Sequence, residues 1–227
     1  MCLLFFPGTF LTALPYYHLK EKYIKAWPCR TDSKEYFLKN IDDILAGCIN
    51  KEPAQLKALY ERYYGFALKL AYRYLYVYET AVDVVDDSFL KAFANLHLFR
   101  LLPGEDNERV FLGWLKKILV NTAIDEFRKK QMIPETRGIP ESVWDIADHA
   151  GNADNILLYK DVIISVKELP PEYRIVFNMY VIEGYKHFEI AEALNIPVAT
   201  SKSRLSKART LLQKKLKKTE EAIICSI

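Results

Sequence analysis

Residues 184–218 read GYKHFEIAEALNIPVATSKSRLSKARTLLQKKLKK, and two helices separated by a tight turn stand in order within them. Ile190, Ala191, Leu194, Ile196, Val198, Leu205, Ala208 and Leu212 are expected to bury between the two helices. That leaves Thr200, Lys202, Ser203, Arg204, Lys207 and Arg209 for the outside. From Pro197 to Lys218 there are eight Lys or Arg and no Asp or Glu. A helix-turn-helix needs this division: one face packs, and the other presents donors to phosphates and base edges in a major groove. A basic run by itself signals only a solvated helix. The ordered pair of helices joined by a turn weighs towards duplex DNA.

Working back towards the N-terminus, residues 161–169 form a helix and Pro170-Pro171-Glu172 opens the next, proline being tolerated in a first turn. Val176, Phe177, Tyr180 and Val181 form its buried stripe, and Gly184 ends it. Periodicity lapses between about 131 and 153, where Pro134, Gly138, Pro140 and Gly151 read as a linker. At ~3.3 Å per residue its reach is up to ~75 Å, beyond two duplex turns of ~34–36 Å each.

Upstream of the linker a second set of segments follows the helical period. Residues 56–78 carry Leu56, Leu59, Tyr60, Tyr63, Ala67, Leu70, Ala71, Tyr74, Leu75 and Tyr78 on one stripe. Residues 80–97 place Val84, Val85, Phe89, Ala92, Phe93 and Leu96 inside, and 108–130 place Phe111, Leu115, Ile118, Leu119, Thr122 and Phe127 inside. A helix near 36–49 completes the group. Nothing alternates with period two for long enough to build a sheet, so the fold class is all-α: two small helical domains joined by a flexible linker. The boundaries are 36–130 and 156–227 for the domains and 131–155 for the linker. Residues 1–35 read as an N-terminal extension, either poorly ordered or the product of a start assigned too far upstream. Their apolar stretch, residues 2–14, lacks the length of a membrane span and the basic lead of a signal peptide.

The chain has 227 residues, 51% hydrophobic and 27% charged, with a net charge of only +3. Charge is segregated instead. Asp83, Asp86 and Asp87 fall together without a base, while the C-terminal helix is basic, which suits two partners of opposite charge. Cys2, Cys29, Cys48 and Cys225 are widely spread, as expected for reduced thiols in the cytosol. Scattered His18, His97, His149 and His187 offer no paired ligands, which disfavours a metal-dependent helical enzyme.

In the 108–130 helix, Trp114, Lys117, Asn121, Asp125 and Arg128 are spaced to share one face. An aromatic ring, cations and an amide together suit single-stranded DNA, where bases stack on rings and phosphates meet cations. The alternative puts Trp114 in the core and pairs Asp125 with Lys129. Pro103 and Gly104 make the preceding segment, 98–110, a loop.

AVDVVDDSFLKAF (81–93), FLGWLKKILVNTAIDEFRKK (111–130) and the stretch from Leu169 to Arg209, in register around a linker, resemble the sigma-70 family of bacterial RNA polymerase sigma factors, in its extracytoplasmic-function class. The resemblance covers roughly 36–218. It implies a cytoplasmic initiation subunit without a catalytic site or cofactor, whose partners are core RNA polymerase, promoter DNA and an anti-sigma factor that is often membrane-anchored. It assigns Asp83, Asp86, Asp87, Phe89 and Lys91 to polymerase. It assigns Trp114, Lys117, Asn121, Asp125 and Arg128 to the melted minus-ten strand, with a base captured by the 98–110 loop. Thr200, Ser201, Lys202, Ser203, Arg204, Lys207 and Arg209 fall to the minus-thirty-five duplex. Three positions depart from the family: Lys186 replaces a Ser or Thr cap, Asn195 a turn glycine, and Ser201 a packing valine. The nearest competing reading is an ordinary helix-turn-helix regulator, whose first domain dimerises or senses a ligand.

Overall fold

The computed structural model of the protein describes residues 40–130 and 163–224, which hold helices and turns and no strand. α1 (Ile41–Ile49) starts at Asn40, whose Oδ1 accepts from Asp42 N at 3.1 Å, with Asp42 and Asp43 set against the helix dipole. α2 (Pro53–Leu75) packs so closely on α1 that a Cβ on Gly47 would stand 2.4 Å from Gln55 Cγ. α3 (Tyr78–Asn95) and α4 (Asn107–Lys130) complete the first group. A single 3-10 turn, Leu96–Leu98, follows α3.

The expected stripes supply the core. Leu56, Leu59, Ala67, Leu70, Ala71, Tyr74 and Leu75 of α2 meet Val84, Val85, Phe89 and Ala92 of α3 and Phe111, Leu115 and Leu119 of α4. Tyr78 begins α3 instead of extending α2, because the chain turns at Tyr76 with φ +54°. A bulky residue is rarely left-handed. Tyr76 is held there by full burial, by its hydroxyl donating to Ile163 O at 3.2 Å, and by the Arg174 guanidinium 5.0 Å from its ring centre.

Those last two partners belong to the second group. A short helical stretch over 163–167 precedes α5 (Pro171–Phe177), which continues as a π-helical turn, Asn178–Ile182. The wider turn rotates the stripe: Asn178 and Met179 are buried, while Val181 is 48% exposed, contrary to its expected place in the core. Gly184, at φ +78°, turns the chain into α6 (His187–Leu194). Lys186 has no side-chain acceptor to cap α6, yet the start is closed, because Glu189 Oε2 accepts from Lys186 N at 2.7 Å. Asn195 ends α6 with φ +51°, the left-handed conformation expected of it. α7 (Val198–Ile224) follows.

The two groups share one continuous core. Arg73 Nη2 donates to Glu183 Oε1 at 2.6 Å, Asn178 Nδ2 donates to Arg73 O at 2.7 Å, and Lys116 Nζ donates to Glu183 O at 2.9 Å. The expectations for 1–35 and for the linker lie outside the described residues, as do three of the four cysteines. Cys48 is buried, and burial, followed by Glu52, pushes its thiol up to about 12, so it stays protonated near neutral pH.

Candidate nucleic-acid and polymerase interfaces

α6 and α7 form the expected helix-turn-helix. Ile190 of α6 joins Leu205, Ala208 and Leu212 of α7 in the core and Ala191 is buried beside it in sequence, Leu194 and Ile196 are half-buried at the rim, and Val198 is 41% exposed at the helix start instead of buried. Lys202, Ser203, Lys207 and Arg209 are exposed, and Thr200 and Arg204 are half-buried. Ser201, counted among the duplex contacts, is fully buried and does not reach this face. Its hydroxyl lies 3.0 Å from His187 Nδ1. Lys207 extends over the Tyr173 ring at 6.0 Å and Arg209 over the Tyr180 ring at 5.8 Å. Both cations therefore leave the helix along aromatic surfaces.

On α4, Lys117, Asn121, Asp125 and Arg128 are exposed along one face, as their spacing predicts. Trp114 is half-buried, its ring 5.8 Å from Phe99 and 6.0 Å from Phe111. It thus serves the core with one part and faces outward with another. Asp125 pairs with Arg128 at 3.8 Å, and Lys129 with Glu126. Arg128 Nη2 also donates to Ala193 O, at the C-terminal end of α6, at 2.6 Å. Helix C-termini carry partial negative charge, so a cation is well placed there.

The loop before α4 is tied down by one side chain that sequence reasoning passed over. Asn107, 5% exposed, accepts from Leu102 N at 3.0 Å and donates to Leu102 O at 3.3 Å, while Asp106 Oδ1 caps Arg109 N at 3.0 Å. An Asx-type side chain at a loop-to-helix junction is the available signal. Leu98, Leu102 and Val110 project from this segment, 53%, 46% and 43% exposed. Replacing Asn107 by Ala should cost about 0.5–1.5 kcal/mol, since Leu102 N loses its acceptor while Leu102 O keeps Glu105 N. Thermal melting and limited proteolysis across 99–106 check this; an unchanged cleavage rate would mean that other contacts hold the loop.

On α3, Asp83 is exposed, and Asp86 and Asp87 are half-buried. Asp86 Oδ1 accepts from Tyr60 OH at 2.9 Å. Two members of the expected polymerase set turn inward. Phe89 is fully buried, edge-on to Tyr60 at 4.9 Å, and Lys91 Nζ donates to Thr122 Oγ1 of α4 at 2.9 Å. Burial lowers the Lys91 pKa, with Asp125 and Asp87 opposing the shift. Among the described residues no cluster of His, Cys, Asp or Glu could hold a metal ion, and no helix is long and apolar enough to cross a membrane.

Residues 59–132 match the family described as Sigma-70 region 2, and residues 165–212 that described as Sigma-70, region 4. The chain is 31% identical over 159 residues to the ECF RNA polymerase sigma factor SigW of Bacillus subtilis (strain 168), covering 66% of this chain and 82% of that protein. It is 28% identical over 144 residues to the ECF RNA polymerase sigma-E factor of Haemophilus influenzae, covering 59% and 73%. Among solved structures, CnrH in complex with the cytosolic domain of CnrY is 25% identical with a TM-score of 0.43, covering 77% of this chain and 96% of that one.

Proposed function

Because the chain belongs to the extracytoplasmic-function class of the sigma-70 family, we propose a division of labour among its helices. The protein is a sigma factor: it binds core RNA polymerase and directs initiation at specific promoters. In this reading α7 reads the minus-thirty-five duplex with Thr200, Lys202, Ser203, Arg204, Lys207 and Arg209. The α4 face of Trp114, Lys117, Asn121, Asp125 and Arg128 holds the melted minus-ten strand, and the 98–110 loop takes an extruded base. Extrusion costs a few kcal/mol, and stacking returns ~1–3 kcal/mol per base. The acidic start of α3 meets polymerase through Asp83, Asp86 and Asp87, while Phe89 and Lys91 hold α3 on its neighbours. Carrying both readers on one enzyme makes the second promoter contact intramolecular, so each can be weak alone.

The observation that carries this reading is the α7 face, where Lys202, Ser203, Lys207 and Arg209 are exposed over a buried apolar seam. On the same reading the protein acts in the cytoplasm, has no catalytic centre of its own, and is held in reserve by an anti-sigma partner. Run-off transcription with purified core enzyme tests it. A new, promoter-specific start supports the sigma role, whereas duplex binding without a new start would indicate an ordinary helix-turn-helix regulator.

Charge reversal at Asp83 and Asp87 to Lys, sparing Asp86 because it holds the Tyr60 hydroxyl, is expected to abolish co-purification with core polymerase while leaving the helical circular-dichroism signal intact. Retained co-purification would move the polymerase contact off α3.

A further inference from the structure

Ser201 is a polar residue in the seam of the recognition helix, with Leu205 and Ala208 buried one and two turns on. A buried hydroxyl needs a partner. Its partner comes from the other helix of the motif, fourteen residues away: His187 Nδ1, at 3.0 Å. The imidazole is itself braced, stacked on Tyr180 of the π-helical turn with centroids 4.5 Å apart and 25° between the planes. Arg209 of α7 lies over that same tyrosine ring. Three elements thus meet at one small cluster, and the residues flanking Ser201, Thr200 and Lys202, belong to the proposed duplex face.

We infer that His187 is a positioning residue for promoter reading: through Ser201 and Tyr180 it fixes where the cationic face of α7 lies, and on gaining a proton it adds its own charge to that face. The inference rests on the proposed role of α7. The hydrogen bond survives protonation, since an imidazolium Nδ1–H donates to the serine oxygen. Position is therefore kept while charge changes.

Facing the ring are Lys202 and Arg209 from α7 and Tyr180 from the π-helical turn; Lys186 and Glu189 stand at the same end of its own helix, with Glu189 tied to Lys186 N. Burial, then Lys202 and Arg209, holds the His187 pKa below its ordinary value. Duplex phosphates docked on those two cations oppose their effect and raise it. Between the free and bound values, binding takes up a proton, so affinity rises as pH falls. A half-buried Ser–His contact in place of apolar packing thereby links DNA reading to pH.

The full chain with core polymerase, on the linear promoter fragment mapped by run-off transcription, provides the test. A fragment with a scrambled minus-thirty-five element is the control. His187→Gln keeps hydrogen-bonding capacity and does not titrate. Wild-type affinity relative to this variant is expected to rise about three- to tenfold from about pH 8 to about pH 6. His187→Ala should bind the intact fragment about tenfold more weakly at neutral pH and the scrambled one little differently. Adding Ser201→Val, which removes the orphaned hydroxyl, should recover most of that loss. Parallel pH profiles for wild type and His187→Gln, or an equal loss on both fragments, overturn the inference while leaving the role of α7 standing. If wild type itself does not distinguish the two fragments, that role falls, and the inference with it.

Discussion

Replacing Lys202, Arg204 and Lys207 together by Ala is expected to weaken promoter binding and flatten its dependence on salt. Each phosphate neutralised by a cation releases counterions, so the slope of log K against log salt changes by about 0.9 per contact on duplex DNA. Three contacts amount to ~2.7, and the variant should lose about 40-fold less affinity than wild type between about 50 and 200 mM salt. The three positions are not equivalent. Lys202 is exposed, Lys207 reaches out over Tyr173, and half-buried Arg204 lines a cleft against α4. None of the three is in the core, so the melting temperature should barely move, which separates lost contacts from a lost fold. Titration of a labelled promoter fragment with the reconstituted holoenzyme at several salt concentrations gives the slope. An unchanged slope would take these residues off the DNA face.

How much of this was legible in the sequence follows from the range over which each feature is decided. The α2, α3 and α4 stripes follow from the 3.6-residue period alone, and Val84, Phe89, Leu115 and Leu119 are buried as their spacing requires. The exposed α4 face from Lys117 to Arg128 comes from the same count. Position within a turn is also local, which is why Asn195 adopts the left-handed conformation anticipated for it. Val181 escaped because the π-helical turn inserts a residue into the period, and no spacing rule announces where that happens. Lys91 escaped for another reason, as did the partner of Ser201, a residue that the family resemblance already sets at a packing position. A hydroxyl or an ammonium is read as exposed until a distant partner is known, and here those partners are His187 and Thr122. The contact between the two helical groups depends on residues about a hundred positions apart, such as Arg73 and Glu183, and periodicity carries no information at that distance.

That contact yields the second large effect. The Glu183 side chain is only 5% exposed, with Arg73 at 2.6 Å and Lys116 at 3.5 Å from its two oxygens, and it joins α2 and α4 to the π-helical turn. In this arrangement α4 and α7 face a common cleft of about 340 Å³, with Phe127 and Arg128 on one wall and Leu194 and Arg204 on the other. Arg128 is meanwhile engaged with Ala193 O. On the roles proposed for them, two readers that face each other across this cleft reach separate promoter elements only if the groups part. Glu183→Gln leaves two cations facing a neutral amide. Breaking a buried pair from one side costs about 3–5 kcal/mol; the figure suits Arg73, whereas Lys116 is nearly a third exposed and contributes less. The variant is expected to open. Small-angle scattering should give a larger radius of gyration, and amide exchange should speed up over 178–183 and around Arg73 while the interiors of α2 and α3 stay protected. Exchanging the charges, Arg73→Glu with Glu183→Arg, restores an attractive pair and, combined with Lys116→Gln to remove the like charge the exchange would otherwise create, should recover compactness. A Glu183→Gln protein as compact and as slowly exchanging as wild type would show that apolar packing around Tyr76 and Met179 holds the groups together without the ion pair.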